Sequence, residues 1–210
     1  MPHKVMTVAL LDKAHTAIKL CGACNAIRRD EAGRLVGDMF NGERFVRGVK
    51  RKGRSIEGAS ALVVGSGGVG SAIAASLAWA GAFRLGLFDA NPGSAERLAA
   101  SLTAYYPALE LATGSNEPDG YDIVVNATPL GMNAGDPMPV DVSRIAPESF
   151  VGEVVMKQEE TPFLAAARVR GCATQVGKDM LFKQIPASLE FFGFRTATPD
   201  ELRALARIRY

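Results

Sequence analysis

The chain has 210 residues, enough for one large domain or for a domain with a smaller lobe, and 48% of them are hydrophobic against 22% that are charged. This composition is ordinary for a globular protein and argues against intrinsic disorder. The 24 basic and 22 acidic residues leave a net charge of +2, which gives no reason to expect nucleic acid as a partner. The basic run at 47–54 is interpreted as the solvated face and end of a helix.

The three cysteines argue against a disulfide framework. Cys21 and Cys24 form a CxxC pair, but no second pair and no suitably spaced histidine completes a zinc site. We therefore expect reduced, partly buried thiols, no bound metal and a cytoplasmic location. The amino terminus lacks the compact apolar region of a signal peptide.

One uncharged segment, 59–83, is long enough to span a bilayer. It is rich in alanine, serine and glycine, and its centre, GSGGVG, is typical of a turn. A short strand, a glycine loop and a buried helix explain the segment better, so we expect no membrane partner.

The first quarter of the chain predicts a small mixed lobe. Apolar spacing from Val5 predicts one amphipathic helix over 5–20. Two short strand patterns separated by DEAG predict a hairpin. The expected strands are 24–29 and 34–38, followed by a helix over 42–52 and a glycine-bracketed link at 53–58.

Beyond the link, strand and helix patterns alternate, which predicts a doubly wound parallel α/β sheet. In TPFLAAARVR, Thr161 is expected to cap a helix with Pro162 at its first position. The expected strands are 61–64, 84–88, 109–112, 121–125, 150–155 and 172–176, and the expected helices are 70–80, 92–103, 161–170 and 178–192.

The loop GSGGVG follows a predicted strand and opens a predicted helix, the context in which such a fingerprint indicates a dinucleotide site. Gly65 permits a tight turn, Gly67 lets the backbone approach a pyrophosphate, and Gly70 lets helix and strand pack closely. The phosphates would bind the free amides at the helix start. A packing turn without a ligand is the alternative. The predicted cofactor-binding residues of the loop are Gly65, Ser66, Gly67, Gly68, Val69 and Gly70.

The acid at the end of the next strand bears on the choice of cofactor. Asp89, in LGLFDANP, can accept hydrogen bonds from the ribose hydroxyls of adenosine. Its charge would repel a 2′-phosphate, and no arginine directly follows, so NAD is expected rather than NADP. Alternatively, Asp89 caps the helix that begins at Pro92.

Several motifs in order resemble the shikimate and quinate dehydrogenase family: GDMFNG (37–42), GSGGVG (65–70), VVNATPLGM (124–132) and TPFLAAARVRGCATQVGKDMLFKQ (161–184). The likeness runs from MPHK to the helix around Gln184. The resemblance implies a Rossmann lobe with an incomplete amino-terminal α/β substrate lobe. It also implies reversible hydride transfer between NAD and a ring hydroxyl of shikimate, quinate or a related cyclic hydroxy acid, in a monomer or homodimer. The implied units are 1–52, a remnant of the substrate lobe, 53–176, the NAD-binding domain, and 177–210, helices returning to the substrate lobe.

The resemblance also implies roles for single residues. Lys4 matches a catalytic lysine that exchanges the hydroxyl proton, and Asn41 stands where an aspartate partners that lysine. Asn25 and Gln184 match substrate-binding residues, since amides orient hydroxyls without adding charge. Taken singly, these could be a solvated lysine, a turn residue and a polar helix position. The residues matched to the nicotinamide side of the cofactor are Asn126, Ala127, Thr128, Gly177 and Met180.

The chain departs from the family pattern in three places. Asn41 cannot supply the negative charge of an aspartate. Glu153 and Met156, in EVVM, stand where the family has D-x-x-Y, so a hydroxyl near the substrate is lost. No serine motif for the substrate carboxylate precedes Met1. We therefore expect a divergent, amino-terminally truncated dehydrogenase with impaired turnover. The alternatives are a non-catalytic dinucleotide-binding protein and another Rossmann enzyme that acts on a different cyclic substrate.

Overall fold

The computed structural model describes residues 3–196, 198 and 201–202; at positions 5, 16, 180–184 and 187 it describes the backbone alone. The amino-terminal part builds a three-stranded sheet in the order β1-β3-β2, with β1 parallel and β2 antiparallel to β3. Its strands are β1 (Lys13–Ala14), β2 (Ala26–Arg29) and β3 (Leu35–Asp38). Its helices are α1 (His3–Met6), which runs into a 3₁₀ turn (Thr7–Leu10), α2 (Thr16–Cys21) and α3 (Asn41–Arg51).

The predicted single helix over 5–20 is wrong. The chain becomes extended at Leu11 (φ −84°, ψ 129°), and the Asp12 N–H donates to the Leu35 carbonyl over 2.9 Å. The Asp12 carboxylate in turn accepts from the Leu35 N–H over 2.7 Å. Strand β1 then pairs with β3, so non-local backbone hydrogen bonds interrupt a stretch whose local apolar spacing favours a helix.

The predicted hairpin is confirmed. Strands β2 and β3 pair from Ala26 with Asp38 to Arg29 with Leu35. The turn between them closes with a hydrogen bond from the Asp30 N–H to the Arg34 carbonyl, 3.0 Å long, and Gly33 adopts φ +77°. The basic run at the end of α3 is exposed at Arg47, Lys50 and Arg51, as predicted.

The second sheet confirms the doubly wound parallel fold. Six parallel strands lie in the order β6-β5-β4-β7-β8-β9. The strands are β4 (Ser60–Val64), β5 (Arg84–Phe88), β6 (Glu110–Thr113), β7 (Ile123–Asn126), β8 (Phe150–Glu153) and β9 (Ala173–Gln175). The helices are α4 (Gly68–Trp79), α5 (Pro92–Tyr105), α6 (Pro162–Val169) and α7 (Lys178–Phe191), and an unpredicted 3₁₀ turn covers Val142–Arg144.

The strand order defines where a ligand can bind. From β4 the chain builds outward through β5 and β6 on one side, and through β7, β8 and β9 on the other. The crevice at the carboxyl ends of β4 and β7 is therefore the topological switch point, the usual ligand site of open α/β sheets. The loop 65–67 begins there, directly after Val64.

The amino-terminal part packs on the helical layer of the large sheet. Phe45 of α3 is fully buried in one apolar cluster with Ile73 of α4 and Val63 of β4. Gly42 allows close approach, because a Cβ there would overlap the Ala72 carbonyl of α4. All three cysteines are buried and free. Among the described residues, no helix is long and apolar enough to cross a membrane.

Candidate active site

Backbone conformation and close packing require glycine at two positions of the glycine loop. Gly65 adopts φ +102°, a conformation that other residues rarely adopt, and its N–H donates to the Phe88 carbonyl of β5 over 2.7 Å. A Cβ at Gly70 would overlap the Gly65 carbonyl and lie 3.2 Å from the Ala127 Cβ. These two positions hold β4, α4 and the end of β7 together whether or not a ligand is bound.

Gly67 and Ser66 have no such packing explanation. A Cβ at Gly67 would meet no atom within 4 Å, so the missing side chain leaves the start of α4 open. The Ser66 hydroxyl is buried without a hydrogen-bond partner among the described residues. An anion at this helix start would satisfy both the hydroxyl and the free first-turn amides. Val69 faces the other way and packs on the core. The loop therefore fits the pyrophosphate of a dinucleotide.

Asp89 ties the glycine loop to the next turn. One carboxylate oxygen, Oδ2, accepts from the Ser66 N–H over 2.7 Å, and Oδ1 accepts from the Asn91 N–H over 2.8 Å. Asn91 is the N-cap of α5 and no side-chain bond caps this helix, so Asp89 fixes the turn before α5 without capping it. Each oxygen keeps acceptor capacity for a ribose hydroxyl. Asp89 therefore orders the glycine loop and the turn before α5, and its contact with a ribose stays a prediction.

The loop after β7 is held by Asn126. This side chain is fully buried, its Nδ2 donates to the Leu130 carbonyl over 2.9 Å, and its Oδ1 accepts from the Thr128 N–H and hydroxyl. Asn126 therefore orders the loop after β7, and its role as a cofactor contact stays a prediction. Ala127 and Thr128 lie against Gly65 and so border the cofactor loop.

Lys4 lies beside the start of α4. Its carbonyl accepts from the Cys24 N–H over 2.8 Å, and its Cβ and Cδ lie 3.9 Å from the point where a Gly68 Cβ would be. Burial lowers the pKa of Lys4, the Arg44 charge lowers it further, and Cys21 opposes this in part. The lowered pKa enlarges the fraction of Lys4 in the neutral amine form, which can accept a proton.

A buried polar cluster joins Asn25, Asn41 and Arg44. The Asn41 Oδ1 accepts from the Asn25 Nδ2 over 3.1 Å and from the Arg44 Nη1 over 3.0 Å. The Asn25 Oδ1 accepts from the Phe40 N–H over 3.1 Å. These bonds fix both amides at the junction of β3 and α3. Among the described residues, no carboxylate forms an ion pair with Arg44 or Lys4.

Arg44 is a site residue that the sequence interpretation missed. Its side chain is only 3% exposed, burial lowers its pKa to about 9, and its Nε and Nη2 have no hydrogen-bond partner among the described residues. Helical spacing gives no signal for this role, because Arg44 lies three and seven residues before the exposed Arg47 and Arg51, on the polar side of the predicted helix.

The carboxy-terminal candidates are only partly visible. Gly177 is the N-cap of α7, and a Cβ there would overlap the Val155 carbonyl, so packing explains this glycine. Met180 and Gln184 lie on α7, but their side chains are outside the described part. No group of three or more metal-ligating side chains is found within the described ranges.

Glu153 and Met156, the two residues of EVVM that depart from the family pattern, differ in their burial. Glu153 ends β8 with 1% exposure and accepts from the Thr161 hydroxyl over 2.6 Å; burial raises its pKa to about 7. Thr161 also caps α6 by accepting from the Leu164 N–H, as predicted. Met156 is 53% exposed.

The parallel sheet and the open helix start at its switch point define a dinucleotide-binding protein of the Rossmann type, with Lys4 beside the glycine loop. A shikimate dehydrogenase (NADP(+)) from Rhodospirillum rubrum is 36% identical over 212 residues, covering 97% of this chain and 75% of the relative. The chain belongs to the shikimate/quinate dehydrogenase family. Comparison with protein-family profiles finds no match.

Two solved structures are similar in fold over most of the chain. Quinate dehydrogenase from Corynebacterium glutamicum, in complex with NAD, has a TM-score of 0.85 at 31% identity, covering 97% of this chain and 74% of that one. The 5-ketofructose reductase of a Gluconobacter strain also has a TM-score of 0.85 at 31% identity, covering 95% and 73%. These names include both NAD and NADP(+) and more than one substrate class, so they leave cofactor preference and substrate open.

Proposed function

We propose that the protein reversibly oxidises a ring hydroxyl of shikimate, quinate or a related cyclic hydroxy acid, with NAD as the hydride acceptor. The observation that carries this proposal is the position of Lys4. Its side chain packs on Gly68 at the start of α4, and its main chain is bonded to Cys24, next to Asn25. A proton acceptor and a cofactor loop therefore lie side by side.

Lys4 acts as the proton carrier in this proposal. Oxidation of an alcohol removes one proton from the hydroxyl and one hydride from the carbon, and bound NAD would take the hydride. The proton goes to the Nζ of Lys4, which must first be neutral. Burial and the nearby Arg44 charge lower the pKa of Lys4 and so enlarge the neutral fraction at a given pH.

Asn25 and Asn41 orient the reacting groups in this proposal. Their mutual hydrogen bond and the bond to the Phe40 main chain limit rotation of both amides. Asn41 lacks a charge, so it does not hold Lys4 in the protonated form as an aspartate would. Gln184 is proposed to bind substrate from α7.

NAD is preferred over NADP because of Asp89. Its carboxylate is anchored beside the cofactor loop by two backbone amides and would face the adenosine ribose. Ala90 follows directly, so the residue after Asp89 offers no positive charge to a 2′-phosphate. The proposed pyrophosphate contacts are the amides of the Gly67–Gly68 turn and the Ser66 hydroxyl.

We also propose that different parts of the chain bind the dinucleotide and the substrate. Residues 53–176 bind the dinucleotide, while 1–52 and 177–210 together hold the substrate. Support comes from the separate small sheet and from α7, which returns to α3 through an edge-on contact of Phe191 with Phe40, 5.6 Å between ring centroids.

Two other functions have support. Reduction of a carbohydrate ketone is favoured by the likeness to 5-ketofructose reductase, and cofactor binding without catalysis is favoured by Asn41. Spectrophotometric assay of NAD reduction with shikimate and quinate, and of NADH oxidation with 5-ketofructose, separates these functions. We expect turnover with a cyclic acid. Turnover with 5-ketofructose alone would indicate the ketose reductase, and calorimetric NAD binding without any turnover would indicate the binding protein.

A further inference from the structure

One edge of the Arg44 guanidinium is unpaired, and the roles proposed for Lys4, Asn25 and Asn41 do not involve it. The guanidinium gives one nitrogen, Nη1, to Asn41. Its Nε and Nη2 have no hydrogen-bond partner among the described residues. These two nitrogens form the side-on edge of the guanidinium, whose parallel N–H groups match the two oxygens of a carboxylate.

A buried cation without an anion is destabilising, which indicates that Arg44 has a partner elsewhere. The nearest acid in sequence, Glu43, is 52% exposed at its side chain and is paired with Arg47 instead. Asp38, at the start of the same junction, accepts from His15 over 2.8 Å and from the Met39 N–H. The cluster of Lys4 and Arg44 therefore contains two basic groups without a bonded acid in the described part of the chain.

We propose that Arg44 is the carboxylate receptor of the active site and binds the acid group of the substrate through Nε and Nη2. This inference rests on the proposed function, since it names the substrate class of the same site. The third nitrogen is held by Asn41, so a planar two-point contact remains, which suits a carboxylate better than a phosphate.

A ligand reaches this edge only if the groups that cover it move aside, because the bond from Nη1 to Asn41 is kept. Neither nitrogen touches solvent in the present conformation, and the guanidinium carbon lies 6.0 Å from the centre of the Phe40 ring. Pairing in this water-poor position is stronger than at the surface, because screening is weak there.

The proposal predicts selectivity for acids over neutral rings. A neutral ligand such as 5-ketofructose or methyl shikimate would occupy the site while leaving the Arg44 edge unpaired. A site built for a hydrogen-bonding group discriminates strongly against ligands that lack it. Arg44 thus favours shikimate or quinate as the substrate over a ketose.

Calorimetry with the NAD-loaded protein tests this, with shikimate and methyl shikimate as probes. We expect the wild type to bind the acid about 10- to 100-fold more tightly than the ester. Arg44→Met should bring that ratio close to one, and Arg44→Lys should retain part of it. Arg47→Met, an exposed arginine on the same helix, is the matched control and should leave the ratio unchanged. Circular dichroism checks that each variant is folded.

A second measurement does not depend on the Arg44→Met variant folding. In wild-type protein labelled with ¹⁵N-arginine, the Arg44 Nε–H resonance should shift on addition of shikimate and stay in place with methyl shikimate. An unchanged acid-to-ester ratio in folded Arg44→Met, or no binding of shikimate and quinate by the wild type, would overturn the proposal. Arg44-dependent acid binding without NAD reduction would uphold the carboxylate site while contradicting the dehydrogenase.

Discussion

The buried carboxyl of Glu153 should make the stability of the protein depend on pH in a specific direction. Glu153 ends β8 beside Asn126, is 1% exposed, and accepts one hydrogen bond, from the Thr161 hydroxyl. Burial raises its pKa from an ordinary value of 4.5 to about 7. Because the folded protein binds this proton more tightly than the unfolded chain, the free energy of unfolding falls as the pH rises from 4.5 to 7.

The size of the effect follows from the two pKa values. Each unit of difference corresponds to about 1.4 kcal/mol, so the carboxyl destabilises the fold by about 3 kcal/mol once the pH exceeds 7. Glu153→Gln removes the titration but keeps an oxygen that can accept from Thr161. The variant should therefore gain stability relative to the wild type as the pH rises through this window.

The assay is urea unfolding followed by circular dichroism at several pH values between 4.5 and 8. The difference in unfolding free energy between Glu153→Gln and the wild type should rise by about 3 kcal/mol across the range. Glu31→Gln, an exposed acid in the β2–β3 turn, is the control and should show a flat difference. A flat difference for Glu153→Gln would refute the assignment of a buried, protonated carboxyl.

Three further predictions concern the cofactor and the proton carrier. Gly70→Ala should lose about 1–3 kcal/mol of stability in denaturant unfolding, because the added Cβ overlaps the Gly65 carbonyl. Gly67→Ala should keep its stability but bind NAD more weakly in calorimetry, because a Cβ there meets no protein atom. Equal losses of stability in the two variants would contradict this distinction. Asp89→Asn should reduce the ratio of NAD affinity to NADP affinity in paired binding titrations. An unchanged affinity ratio would show that Asp89 does not set the cofactor preference. Asn41→Asp should raise the pKa of Lys4 and so move the acid limb of the pH–rate profile to higher pH, and it should raise kcat for alcohol oxidation on the plateau above that limb, where Lys4 is neutral and is the stronger base. Lack of any gain in kcat would count against the role assigned to position 41.

The large sheet could be predicted because its signals are local. The alternation of apolar strands and helices, the glycine loop and the Thr161–Pro162 helix start each act within a few residues. The segment 5–20 could not be predicted, because pairing of Lys13 with Val36 depends on chain 23 residues away. Apolar spacing reports which face is buried and carries no information about a distant strand.

Sequence motifs indicate candidate site residues, but they do not indicate the hydrogen bonds between those residues. The motif around Asn126 indicated a cofactor loop, and the structure shows an amide whose bonds lie within that loop. The pattern around Asn41 indicated a missing charge, but it did not reveal that Arg44 would bond to the same amide. Such contacts depend on side-chain geometry at the junction of β3 and α3, which motif matching does not specify.

The proposed role of Lys4 is to carry the proton beside a bound dinucleotide. Its most direct test compares Lys4→Gln with the wild type in two measurements on the same samples, NAD affinity by calorimetry and NAD reduction with shikimate or quinate. We predict that NAD affinity is retained within a few-fold while kcat falls by about 100-fold or more. Turnover by Lys4→Gln at the wild-type rate would contradict the account.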